Sequence, residues 1–166
     1  MDEKYSIKDG RIEAVMWIVY KDNKIIIEKR PKSEAGEMIC IPCGHIDLLR
    51  DKTKDRNDYV QSAFLRESQE EFKHGNFKPT QYQFFKSVDY DELNKKGDVV
   101  KLRLHYFLVS KWDGHVPKYT IEDEKKHAKL EWFSILDYKK LPQSCDRDVL
   151  ELLLKNPPSS FTNVKS

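Results

Sequence analysis

Residues 66–71 read Arg-Glu-Ser-Gln-Glu-Glu, a spacing that gathers three carboxylates if the segment is helical. At about 100° per residue, with Val60 as zero, Ala63 falls at roughly 300°, Phe64 at 40°, Glu67 at 340°, Glu70 at 280° and Glu71 at 20°. The acids therefore continue the apolar stripe begun by Val60, Ala63 and Phe64, whereas a surface helix sets its charges on the opposite side. Like charges at i, i+3 and i+4 repel weakly in water and strongly when desolvated, unless a cation neutralises them. Mg²⁺ and Mn²⁺ suit that need: they take oxygen ligands, and Mg²⁺ sites combine a few carboxylates with waters and substrate phosphates. Arg66 lies beside Glu70 as an i, i+4 pair, placed to orient a carboxylate rather than to touch substrate. The rival reading is a solvated acidic face.

The elements that must carry this helix can be read along the chain. Residues 13–20 and 23–29 form a hairpin rich in Val, Ile and aromatics, joined at Asp22-Asn23, and a third strand covers 38–42. Gly44 opens DLLRDKTKDRN, aperiodic and charged, hence an exposed loop. The helix then starts with Asn57 as N-cap and closes at Gly75 and Pro79. Two further strands span 81–90 and 99–112, the second alternating Leu102, Leu104, Tyr106 and Leu108 with polar residues. IEDEKKH (121–127) is a loop, 129–133 a strand, Ser134 opens a short helix, and 146–155 is an amphipathic last helix. Strands with two or three helices give an α+β or α/β sandwich, a single domain over residues 1–156 with a disordered tail at 157–166.

Composition narrows the partners. The 166 residues carry 30 Lys and Arg against 28 Asp and Glu, a net charge of +2. That balance provides no single-sign field for indiscriminate binding to nucleic acid or membrane. RNA as a substrate stays open but draws no support from a basic stripe. The longest apolar run, residues 14–20, is far shorter than a membrane span. The N-terminus lacks the order of a signal peptide, and three cysteines cannot all pair within the chain. Both point to the cytoplasm; a homodimer is compatible with the sequence. Cys40-x-x-Cys43 followed by His45 invites a zinc or redox reading, but no second such pair exists. Small residues packed near the Gly44 turn are the plainer account.

At this point the sequence resembles the Nudix hydrolases, whose box reads G-x5-E-x7-R-E-U-x-E-E-x-G-U, with U aliphatic. Gly44, Arg66, Glu67, Glu70 and Glu71 match it, and Asp58 stands with seven residues before Arg66 where the family has Glu. Residues 41–47 resemble the P-G-G-H-I-E lead-in, with Cys43 for the first Gly and Asp47 for Glu, and residues 130–136 resemble the late strand and its turn into a helix. Thirteen residues separate Gly44 from Asp58 in place of five, Ser68 and His74 take aliphatic positions, and Lys73 replaces Gly. The extra residues are charged enough to bulge into solvent beside the site.

The resemblance implies a Nudix-type α/β/α sandwich with a mixed sheet, and metal-dependent hydrolysis of a nucleoside diphosphate linked to a moiety X: a nucleoside triphosphate, dinucleoside polyphosphate or nucleotide sugar. It implies Mg²⁺ or Mn²⁺ on Glu67, Glu70, Glu71 and the Gly44 carbonyl, with Glu67, Glu70 and Arg66 in the catalytic set. It further implies a general base or added ligand from Glu122, Asp123 and Glu124, Glu124 foremost, and a phosphate contact from Arg30. For 121–127 a solvated charge run is the competing reading, and for Arg30 a plain surface arginine. A non-catalytic nucleotide-binding module on the same fold is the alternative function.

Overall fold

In the computed structural model, residues 5–33, 36–52, 58–94 and 96–158 are described. Among them nine strands and two α-helices follow in the order β1 Ile7–Lys8, β2 Arg11–Lys21, β3 Lys24–Ser33, β4 Gly36–Cys40, β5 Cys43–His45, α1 Tyr59–Glu71, β6 Lys78–Leu93, β7 Val99–Asp113, β8 Tyr119–Glu122, β9 Lys125–Ser134 and α2 Ser144–Lys155. The sheet is mixed, in the order β6-β7-β2-β3-β9-β8, with β5 also on β2 and β4 on β3. β2 runs parallel to β7 from Ile12↔Leu102 to Val19↔Val109. It touches β3 only at the neck, Tyr20↔Ile25 and Lys21↔Lys24. Past the neck β3 leaves β2 and pairs with β9 and β4. The sheet thus opens into two wings.

β2 reads as an unbroken apolar run because both its faces are covered. Val15, Trp17 and Val19 lie in the core under α1, with Ala63, Phe64, Phe72 and Phe107. Ala14, Met16, Ile18 and Tyr20 face the other way, into the core that α2 closes with Cys145, Val149, Leu150 and Leu153. The result is an α/β/α sandwich. Phe64 stacks on Phe107 at 4.4 Å and 5°, a geometry that adds about 0.5–1.5 kcal/mol to the burial itself. The β2–β3 turn is made by Asp22 and Asn23, both at positive φ, which suits a two-residue hairpin turn.

Two expectations are revised. Residues 121–127 are not a loop: Glu122 pairs with Lys125, and Asp123-Glu124 form a tight turn at φ 50° and 63° between β8 and β9. Pro79 does not close α1; it sits in edge strand β6, where a missing N–H is harmless. α1 ends at Glu71, passes through a 3₁₀ turn at Lys73–Gly75 and stops at Asn76 in the left-handed region. Asn57 and residues 159–166 of the expected tail lie outside the described residues. No helix among the described residues is long and apolar enough to cross a membrane.

Candidate active site

Gly44 pairs with Val15 in the β5–β2 ladder, and α1 descends directly on it. A Cβ at position 44 would run into the Glu67 carboxylate, so only glycine lets that side chain lie against the strand. The helical stripe behaves as its spacing demands: after Ala63 and Phe64 have filled the core, Glu67 and Glu71 occupy the next turn of the same face, at the wall of a cleft of about 850 Å³. Ser68, at a position where the family pattern is aliphatic, is buried and satisfies its hydroxyl on the Leu65 carbonyl at 3.3 Å.

Arg66 organises the acids. Its Nη1 donates to Glu67 Oε1 at 2.9 Å and to Glu70 Oε2 at 3.1 Å. Its Nε and Nη2 form a two-pronged pair with Asp51 at 2.8 Å each, and Nη2 also donates to the His45 carbonyl at 3.3 Å. Arg50 holds the other oxygen of Glu70. Sequence reasoning missed Asp51. It belongs to a π-helical turn, Leu48–Lys52, which Asp47 caps by accepting from Leu49 and Arg50 at 2.9 and 3.2 Å. Asp51 is 1% exposed. The stretch taken as an exposed loop is therefore folded in as far as Lys52, while residues 53–57 lie outside the described residues. The carboxylate opposite Arg66 is Asp51, and Asp58 stands at the N-cap of α1. A signal did exist: six residues separate Gly44 from Asp51, one more than the box spacing and far fewer than the thirteen to Asp58.

Negative charge outweighs positive on the inner wall. Glu71 is pushed up to about 9, first by burial and then by Glu28, Glu67 and Glu122, with only Arg30 opposing. Its Oε2 is buried and takes no hydrogen bond among the described residues. Glu67 is raised by burial, which the Arg66 guanidinium offsets in part, and Glu28 is raised likewise against Arg30. Among the described residues no three His, Cys, Asp or Glu side chains already stand at ligand spacing. Glu67 and Glu70 are turned onto guanidinium groups, and Glu71 is left over. A buried carboxylate oxygen without a hydrogen bond among the described residues, with other carboxylates near it and a glycine cradle beside them, matches the donor chemistry of a hard divalent cation.

This crowding has a measurable consequence. A carboxyl at about 9 when folded and 4.5 when unfolded keeps its proton longer in the folded chain, so its contribution to stability is complete below 4.5 and lost as pH rises to about 9. In buffer with a chelator, the melting temperature of wild type is expected to fall across that window relative to that of Glu71→Gln. Parallel profiles for the two proteins would contradict the crowding.

The remaining sequence-predicted residues sit around the same cleft. Arg30 lines it, with Nε on Glu28 at 2.9 Å and Nη2 on Cys43 Sγ at 3.0 Å. Glu122, Asp123 and Glu124 reach its lip from the β8–β9 turn. Glu124 is 86% exposed and bonded to Lys73 at 2.9 Å, which holds its carboxyl below the usual range. Glu122 accepts from His127 at 3.1 Å. Beyond the charged end, the floor is apolar sheet: Ile12, Ala14 and Met16 of β2 with Leu102 and Leu104 of β7.

The NUDIX domain family model matches residues 10–153. The chain belongs to the Nudix hydrolase family. At the family level this is a nucleotide pyrophosphohydrolase, of a family that generally works with divalent metals. Solved Nudix structures share the fold at low identity. A mutator MutT protein from Bacillus halodurans superposes with a TM-score of 0.63 at 16% identity, covering 87% of this chain and 82% of that one. For a MutT NUDIX hydrolase from Burkholderia pseudomallei the values are 0.60, 20%, 84% and 95%. The NUDIX domain of Shewanella oneidensis NrtR, solved with ADP-ribose, gives 0.54, 16%, 87% and 87%. Comparison with curated sequences gives no significant match.

Proposed function

We propose that this Nudix hydrolase cleaves the phosphoanhydride of a nucleoside diphosphate linked to a further moiety, using Mg²⁺ or Mn²⁺. The observation that carries the reading is Glu71 Oε2, buried and without a hydrogen bond among the described residues, with Glu67 and Glu28 nearby on a wall short of positive charge. Glu67, Glu70, Glu71 and the Gly44 carbonyl would hold the metal. When bound, it neutralises phosphate-oxygen charge and activates an attacking water. Arg66, fixed by Asp51, positions Glu67 and Glu70 for that duty. Arg30 contacts a phosphate of the substrate, and the apolar floor beyond takes an unphosphorylated part. ADP-ribose in the Shewanella domain supports a ligand of this class. The catalytic unit is one domain over residues 1–156, with 157–166 a tail outside it.

Glu124 would act as general base only after releasing Lys73. Loss of a general base lowers rate by about 10²–10⁴-fold. Purified protein should be incubated with nucleoside triphosphates, dinucleoside polyphosphates and nucleotide sugars, with Mg²⁺ or with chelator, and the products weighed. Metal-dependent release of a nucleotide and phosphorylated X is expected, with Glu124→Gln reduced by at least about a hundredfold if Glu124 is the base. A drop below about tenfold assigns the proton transfer elsewhere. Ligand binding by calorimetry with no product from any substrate would favour the sensing module instead.

A further inference from the structure

Cys40 ends β4 and Cys43 begins β5, so the two thiols stand where one wing of the sheet hands the chain to the other. The dipeptide between them is pinned on both sides: the Ile41 N–H donates to Asp146 Oδ2 at 3.2 Å, and the Pro42 carbonyl accepts from the Trp17 N–H at 3.1 Å. Their side chains share one polar chain. Cys40 Sγ donates to Glu28 Oε1 at 3.4 Å, the same oxygen accepts from Arg30 Nε at 2.9 Å, and Arg30 Nη2 donates to Cys43 Sγ at 3.0 Å. Both sulfurs are free thiols and both line the cleft. Cys40 is 3% exposed, whereas Cys43 is partly open, and Cys145 is buried in the other core.

From sequence the pair reads as packing. The structure adds what packing does not need: a cation against the accessible sulfur, an entrance for a small oxidant, a second thiol at the other end of the same Glu28–Arg30 chain, and a carboxylate that accepts that thiol's hydrogen. We propose that Cys40 and Cys43 are an oxidative modification site, in which a hydroperoxide converts the two thiols to an intramolecular disulfide at the wall of the cleft.

The chemistry balances without any other reagent. Cys43 sulfur attacks the peroxide, the O–O bond breaks, a sulfenic acid forms on Cys43, and the departing oxygen leaves as water or an alcohol with the thiol proton. Cys40 sulfur then attacks Cys43, the S–S bond forms, the S–O bond breaks, and hydroxide leaves as water with the Cys40 proton, for which Glu28 Oε1 is the adjacent acceptor. The thiols lose two electrons and the peroxide gains two. Bonding the two sulfurs removes a hydrogen bond from Glu28 and weakens the acceptor of Arg30 Nη2, so among the described residues the guanidinium is left chiefly on Glu28.

The test is thiol mapping on the full chain, a readout independent of whether the hydrolysis reading holds. Reduced protein is exposed to hydrogen peroxide, alkylated and mapped by mass. Loss of two thiols, a linked Cys40–Cys43 peptide and alkylated Cys145 are expected. Cys43→Ala should lose no thiol at that dose, Cys40→Ala should stop at a sulfenic acid, and Arg30→Gln should oxidise more slowly, on the order of tenfold. Where turnover is measurable, oxidation should raise KM about tenfold, reversibly with dithiothreitol, through the loosened Arg30. Cys40 and Cys43 both fully alkylated after treatment, or a bridge to Cys145, overturns the proposal. Equal oxidation in Cys43→Ala overturns it as well, and folding of each variant is verified by its melting curve.

Discussion

Glu67→Gln is expected to lower kcat/KM for metal-dependent hydrolysis by about 10³-fold or more while leaving the metal-free protein as stable as wild type or more so. The two halves have one cause. Glu67 lies against Gly44 with Glu71 and Glu70 beside it, and its carboxyl is raised by burial despite the Arg66 bond. Glutamine keeps the shape and removes a charge from a wall that already holds too many. It also removes a charged donor from the proposed cation site. Side-by-side melting in chelator and turnover in Mg²⁺ tests both halves. Turnover within about threefold of wild type would remove Glu67 from the site.

Asp51→Ala is expected to destabilise the fold by roughly 3 kcal/mol, because it strips a half-buried guanidinium of a buried, two-pronged partner. In a chain of this size that corresponds to a fall in melting temperature of about 6–12 °C. Arg66 would then turn more fully onto Glu67 and Glu70, so activity should fall beyond what stability explains. A cycle with Arg66→Met isolates the pair: the double variant should be less destabilised than the sum of the singles. Additive losses would show that Asp51 acts through something other than Arg66. That route would be the turn itself, where the Asp47 N–H donates to Asp51 Oδ2 at 2.8 Å.

Why Asp51 escaped the sequence reading, while the glutamates did not, is a matter of range. Glu67, Glu70 and Glu71 are placed by a local rule, the helical period, and the apolar residues that orient the helix lie within the same two turns. Asp51 is buried because Arg66, fifteen residues on, meets it in space; periodicity within DLLRDKTKDRN does not carry that information, and the cue that did exist was its spacing from Gly44. β8, its turn and the start of β9 were hidden for a different reason, although 129–133 reads as a strand. The hairpin forms an outer pair of the sheet, so its alternation sets Ile121 and Ala128, both buried, among exposed Lys and Glu, and the charge run masked the period of two. Its turn is built by Asp123 and Glu124 at positive φ without a glycine to announce it. By contrast β2 and β3 were legible as runs of Val, Ile and aromatics on either side of the Asp22-Asn23 turn, and α2 by apolar residues at the helical period.

Glu13 shows how the site is tied to the sheet. It is fully buried, yet hydrogen bonds from His105, Ser6 and Tyr59 overcome the effect of burial and draw its carboxyl down to about 2. Tyr59, the first residue of α1, reaches both its oxygens at 3.0 Å, and Lys52 approaches at 3.8 Å. Lys52, at the end of the π-helical turn, and Tyr59, at the start of α1, thus converge on one residue of β2.

The central strand separates two kinds of damage. Cavities cut at Val15, Trp17 or Val19 loosen the bed on which α1 rests, so they should blunt catalysis together with stability. Cuts at Ala14 or Met16 fall on the floor of the cleft and should alter which substrates are accepted while the glutamates stay aligned. A residue-by-residue scan along this strand should therefore yield phenotypes that switch at every step, a two-beat rhythm in the assay that mirrors the pleat of the backbone.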